Sequence, residues 1–139
     1  MTCPTDNTTA LLVKARLIRR RVLERVADAE DSSLTVGADE GLWQPFAKGV
    51  RIKVLRQHQG VMSYLLRLAP GACLPAHRHP MDEECIVLQG TLKVGTRNEV
   101  GPGCYHRALQ GTLHASVSTV TGATIFVRGA VPDAGHALG

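Results

Sequence analysis

Aromatic side chains are scarce, at 4% of 139 residues, which argues against a stacking platform for single-stranded nucleic acid. Long apolar runs are missing too. Leu11-Leu12-Val13 and Cys85-Ile86-Val87-Leu88 are among the longest, far short of the roughly 20 residues that a membrane-spanning helix needs. No basic start leads into an apolar core and a small-residue cleavage site, so the expected compartment is the cytoplasm. None of the four cysteines (Cys3, Cys73, Cys85, Cys104) forms a Cys-x-x-Cys pair. Widely spaced thiols without a secretory leader read as reduced, with Cys85 and Cys104 as small buried hydrophobes. No internal repeat of roughly 20–50 residues is visible.

What is present fits a single globular domain. Apolar residues make up 44% and charged residues 20%, which excludes global disorder. The formal charge of +4 comes from 16 basic and 12 acidic residues. Its placement is uneven: Lys14, Arg16, Arg19, Arg20, Arg21 and Arg25 crowd together with only Glu24 against them. A solvated helix face is the ordinary meaning of such a run. Direct nucleic-acid binding is not expected, whereas an acidic protein partner would suit the patch.

Two periods organise the chain. Leu11, Ala15, Ile18, Val22 and Val26 recur at spacings of 4, 3, 4 and 4, one stripe of a helix from about Thr9 to Ala29, capped by Thr8 or Thr9. Leu12 and Leu23 widen the stripe, which should dock on the domain or on a second copy of the chain. Asp31 to Gly41 reads as a linker with room for one short strand. Beyond it the period drops to two. Val50-Arg-Ile52-Lys-Val54 alternates apolar and cationic, a strand with its cations outward. Further strands are expected at Val61–Leu68, Cys85–Leu88, Thr91–Val94, Tyr105–Leu109, His114–Val120 and Ala123–Val127. Glycine-rich turns punctuate them, as in an all-β sandwich or barrel. The expected organisation is helix and linker over 1–35, a β domain over 36–131 and a tail over 132–139.

The chemistry is concentrated between Gly71 and Gly90. His77 and His79 are two residues apart, and on a strand both would face one cavity. Pro80-Met81-Asp82 then turns the chain, Asp82 acting as turn chemistry, and Glu83 opens the returning strand. Two imidazoles and a carboxylate suit zinc, Fe(II), manganese, cobalt or nickel. His114 is the expected completing ligand and His106 its rival. Glu84 should face away from Glu83. Cys85 shares the parity of Glu83, which makes it either a metal-side thiol able to sense oxidants or an apolar filler. Trp43 and Tyr105 read as core aromatics, and His58 and His136 as surface residues.

Gly71-x5-His77-x-His79-x3-Glu83-x6-Gly90 resembles the first cupin motif at every fixed position. Gly103-x5-Leu109-x-Gly111-x2-His114-x3-Ser118 is similar to the second, with Leu109 where the family has proline and Ser118 where it has asparagine. Trp43-Gln-Pro45, Gly49–Leu55, Leu65–Gly71 and Glu83–Gly90 narrow the likeness to the cupin domain of ChrR-type anti-sigma factors, over roughly residues 36–129. The resemblance implies an all-β cupin (RmlC-like) double-stranded β-helix, or jelly-roll barrel, preceded by an α-helix. It also implies one divalent metal per chain on His77, His79, Glu83 and His114, with zinc first and iron, manganese or nickel as alternatives. Those factors carry a separate helical zinc module with a His-x3-Cys-x2-Cys motif, for which this chain has only Cys3. The implied role is therefore sensory and regulatory, through an oxidant or small-molecule ligand, with a homodimer and a protein partner on the helix. Other cupins with this ligand set are mononuclear dioxygenases, which is the alternative.

Overall fold

A computed structural model describes residues 12–21, 33–96 and 98–132. The chain divides into two compact units, one up to Glu40 and one from Gly41. In the first, residues 12–21 form a helix, α1. Leu12, Leu17 and Ile18 on it are exposed. The remainder of the expected helix, its Thr8 or Thr9 cap, Cys3, His136 and the tail from residue 133 lie outside the described residues. Residues 33–43 contain no strand.

Among the described residues, the second unit holds twelve strands: β1 (Gln44–Ala47), β2 (Val50–His58), β3 (Val61–Leu68), β4 (Cys73–Leu74), β5 (His77–Arg78), β6 (Glu83–Gly90), β7 (Leu92–Val94), β8 (Asn98–Val100), β9 (Tyr105–Ala108), β10 (Leu113–His114), β11 (Val117–Ser118) and β12 (Ala123–Ala130). They form a six-stranded sheet in the order β1-β2-β3-β12-β6-β9, a four-stranded sheet β4-β11-β7-β8, and the pair β10-β5. Every pairing is antiparallel. Alternation decides what is buried. On β3 it is Met62, Tyr64, Leu66 and Leu68, and on β12 Ala123, Ile125 and Val127. Val87, Leu92, Val94 and Val117 join them in one core. Each such aliphatic side chain, fully buried, is worth roughly 1.5–3 kcal/mol.

The register stacks this core in rows across the large sheet. Ile52, Leu66, Ile125 and Val87 form an apolar row. The row beside it is Val54, Tyr64, Val127, Cys85 and His106. One end of the sheet is therefore hydrocarbon, and the polar groups begin a row later.

Three expectations are corrected. Lys53 is 3% exposed, although its strand was read with the cations outward, because the chain at Gly41 lies over it. Val54 is 45% exposed, since β1 pairs with β2 only over Val50–Ile52 and leaves Val54 uncovered. The expected strand His114–Val120 is two pieces. At Ala115-Ser116 the chain leaves β5 as partner and takes up β4 and β7.

Gly90 shows why one motif glycine is needed. Its φ is +73°, and a Cβ there would lie 2.0 Å from the Gly122 carbonyl oxygen. Gly60 has a similar φ of +79° but open space around it. Gly90→Ala should therefore cost at least about 3 kcal/mol, strain plus clash, against about 1 kcal/mol for Gly60→Ala. Urea titration of both variants checks this, and equal costs would contradict the close approach.

Candidate metal centre

Two short strands bring the histidines together. β5 and β10 pair so that His77 lies directly opposite His114. β5 ends at Arg78, so His79 lies in the following turn and not on a strand. Even so, its ring centroid is 4.4 Å from that of His77 and 5.1 Å from that of His114. The turn is tied down by the loop preceding β10. Asp82 Oδ1 accepts the Gln110 N–H at 2.8 Å, which is turn chemistry as expected. Gly111 N–H donates to the His79 carbonyl and the Gly111 carbonyl accepts from Arg78, both at 3.0 Å. Leu109, where proline was the family pattern, holds the same loop through its carbonyl, which accepts the Thr112 hydroxyl at 2.6 Å.

Glu83 enters from the first residue of β6. Its Oε2 is 3.2 Å from His79 Nδ1. Gly129 lies beside it with no side chain of its own; a Cβ there would be 3.2 Å from Glu83 Cγ. His77, His79 and Glu83 each offer one donor atom, all within 4.8 Å of one another. His114 is 92% buried, and its Nε2 is 3.2 Å from His106 Nε2. All five residues line one cavity of about 180 Å³, whose other walls are mainly aliphatic.

The cavity acts on each ionisable group by withdrawing water. Burial pushes the Glu83 carboxyl up to about 7. Burial, then the neighbouring His77 and His114 rings, pull His79 down to about 4. His114 is lowered by burial and then by His106. At neutral pH His79 is therefore a neutral imidazole, and as Glu83 ionises it accepts the Nδ1–H. His77 donates its Nδ1–H to the Pro75 carbonyl at 2.9 Å, which leaves Nε2 with its lone pair. His79 Nε2 is buried with no hydrogen-bond partner. Buried polar atoms are rarely left unpaired. Neutral imidazoles fixed through one nitrogen, beside a carboxylate, are the donors that a divalent cation takes.

The remaining candidates separate clearly. Glu84 faces away, as expected, and accepts the Tyr105 hydroxyl at 2.7 Å on the outer surface. Tyr105 is thus exposed and not a core aromatic. Trp43 is half-buried under the Arg67 guanidinium, 4.0 Å from the ring centroid. His58 is exposed, as expected. Cys104 is exposed because it closes the Gly101–Cys104 turn. Burial and then Glu83 push the Cys85 thiol up to about 12, so it is a neutral filler and not a low-titrating thiol. Tyr64, buried against this site with its phenol raised by burial, Glu83 and Cys85, was missed from sequence. Period-two alternation marks Tyr64 as inward-facing, but only the register puts it in the row of Cys85 and His106.

Comparison with known proteins agrees with this architecture. A family model described as the ChrR Cupin-like domain matches residues 31–131. No curated protein matches the chain significantly in sequence. Among solved structures, KdgF from Halomonas sp. is 22% identical with a TM-score of 0.62, over 73% of this chain and 96% of that one. The anti-sigma ChrR of Rhodobacter sphaeroides, solved in complex with SigE, is 23% identical with a TM-score of 0.58, over 67% of this chain and 50% of that one. An acetylacetone dioxygenase from Acinetobacter johnsonii is 15% identical with a TM-score of 0.58, over 72% and 79%.

Glu83 binds its proton more tightly folded, at about 7, than its ordinary value of 4.5. Its contribution to stability is complete below 4.5 and lost as pH rises through 7. His79 runs the other way, its contribution present above 6.5 and lost as pH falls through 4. The two offset each other between about 4.5 and 6.5. In metal-free protein, Glu83→Gln should therefore gain on the wild type from pH 5 to pH 8, by on the order of 1–3 kcal/mol. Urea midpoints in chelator at both pH values test this; a constant gap contradicts it.

Proposed function

The chain belongs to the ChrR cupin-like family, and from that premise we propose that it is a metal-binding regulatory cupin. His77, His79, Glu83 and His114 would hold one divalent ion, zinc first, with iron, manganese or nickel as alternatives. The observation that carries this reading is the convergence of His77, His79 and Glu83 donor atoms within 4.8 Å in a cavity with mainly aliphatic walls. Bound there, the ion would supply a localised positive charge and a Lewis acid. The residues of the chain do the rest. Pro75 and Glu83 set the tautomers of His77 and His79, and the aliphatic walls limit access of water.

The signal would be a small-molecule ligand or oxidant read at the metal, since Cys85 is a neutral buried thiol. A protein partner is supported by the ChrR neighbour, which was solved with its sigma factor. That protein is about twice the length matched here, and the His-x3-Cys-x2-Cys motif of its family is missing from this sequence, so partner identity does not transfer with the fold. The basic helix region, with Leu12, Leu17 and Ile18 exposed, would carry the partner contact or a homodimer.

A dioxygenase is the second reading, favoured by the same cavity, which would admit a small apolar substrate beside the metal. Elemental analysis of the purified full chain separates the two. The regulatory reading expects one tightly held zinc per chain and no oxygen uptake with β-diketones or flavonols; uptake would favour the dioxygenase. His77→Ala should lose the metal, and in chelator it should melt at the temperature of the metal-free wild type, because the barrel's core does not include the His77 ring. Failure of the metal-free wild type to fold would make the metal purely structural. A binding partner whose affinity ignores both metal loading and deletion of residues 1–30 would overturn the regulatory role.

A further inference from the structure

Tyr64 is not among the metal donors, yet it lines the cavity that holds them. It stands on β3, in the row of Val127, Cys85 and His106, and is only 3% exposed. Burial, then Glu83 and then Cys85 raise its phenol above the ordinary range. The hydroxyl therefore keeps its proton and can donate one hydrogen bond. Among the described residues, no group accepts it. Buried tyrosine hydroxyls usually find a partner. The space open to this one is the cavity itself, of about 180 Å³.

The lining limits what can fill that space. Leu66, Leu92, Val117 and Ile125 give it hydrocarbon walls, so most of an occupant's surface must be apolar. At about 30 Å³ for each non-hydrogen atom, the space takes roughly six to eight of them. The charges add a second condition. Arg78 is the one lysine or arginine among the lining residues, and Glu83 balances it once ionised. His79 and His114 are both pulled towards the neutral form by burial. A divalent ion held by His77, His79, Glu83 and His114 therefore leaves the cavity with excess positive charge. Aliphatic walls screen such a charge poorly, so it draws an anion.

We propose that the cavity takes a small monocarboxylate with a short hydrocarbon tail, and that Tyr64 fixes its headgroup by donating a hydrogen bond to a carboxylate oxygen. This rests on the reading that the protein holds a divalent ion at His77, His79, Glu83 and His114, and it names the class of ligand for that site. The tail lies along the aliphatic walls, and the carboxylate faces the ion and Tyr64. Excess charge selects an anion, the walls select the tail, and Tyr64 sets where the headgroup stops. Tyr64 is thus a specificity-determining residue that touches the ligand and leaves the metal alone.

The test loads the full chain with zinc, measures its metal content, and titrates in pentanoate, acetate and pentan-2-one by calorimetry. Pentanoate should bind about 50-fold more tightly than acetate, which lacks the tail, and more tightly than pentan-2-one, which lacks the charge. Tyr64→Phe should keep its zinc and bind pentanoate about 10-fold more weakly or worse. Tyr105→Phe removes the hydroxyl of the other tyrosine, on the outer surface, and should bind as the wild type does. The proposal is overturned, with the metal reading intact, if zinc-loaded wild type ignores pentanoate or binds acetate or pentan-2-one as tightly. Undiminished pentanoate affinity in Tyr64→Phe overturns it too. A wild type that holds no zinc overturns both, because nothing then draws the anion. If Tyr64→Phe does not fold by circular dichroism, the ¹³Cζ signal of Tyr64 in the wild type decides. It should shift when pentanoate is added, and a signal that stays in place overturns the proposal.

Discussion

Glu83 and His79 share a water-poor cavity at 3.2 Å, and most of the site follows from what that does to charge. Burial makes both ionised forms costly, so the carboxyl rises towards neutrality while the imidazole falls away from it. Near neutral pH the site holds imidazole lone pairs and a carboxylate on the point of ionising. In solution those groups would be protonated or hydrated. Here they are held ready to be neutralised by a cation, and the aliphatic walls that create the penalty also position the donors.

The fold supplies this arrangement through register. β5 and β10 contribute only two residues each, yet their pairing sets His77 against His114. The loops before and after them are fastened to each other at Asp82 and Gly111. Because β5 and β10 are so short, these loop contacts, rather than a long ladder, fix the geometry. The apolar row of the large sheet, through Leu66, Val87 and Ile125, forms the walls of the same cavity, so stability and chemistry share one surface.

Much of this was legible in the sequence. The strands Val61–Leu68 and Ala123–Val127 follow from alternation, and the glycine and histidine spacing marks the site because turns and ligands obey fixed local geometry. What escaped involves contacts between distant segments. Tyr64, Cys85 and His106 lie in one row only through the β3–β12–β6–β9 register. Gly129 matters because it passes beside Glu83, 46 residues earlier. Lys53 is buried by a chain crossing at Gly41 that its own strand does not announce. The short strands β1, β4 and β8 went unread because two to four residues carry too little period to register.

Strand order has a consequence for how the barrel is made. β12 is the final strand in sequence order among those described, yet it lies between β3 and β6 in the middle of the large sheet. Until it is in place, β3 and β6 are two open edges with unpaired N–H and C=O groups facing each other. A nascent chain paused before Ala123 would expose those edges beside an incomplete core, the condition under which partly folded chains pair with one another. Because so many pairings are long-range, closure should be slow and should come as one late step. The histidines and Glu83 on β5, β6 and β10 would all be synthesised before the strand that encloses them, leaving the candidate site open to solvent until the barrel shuts.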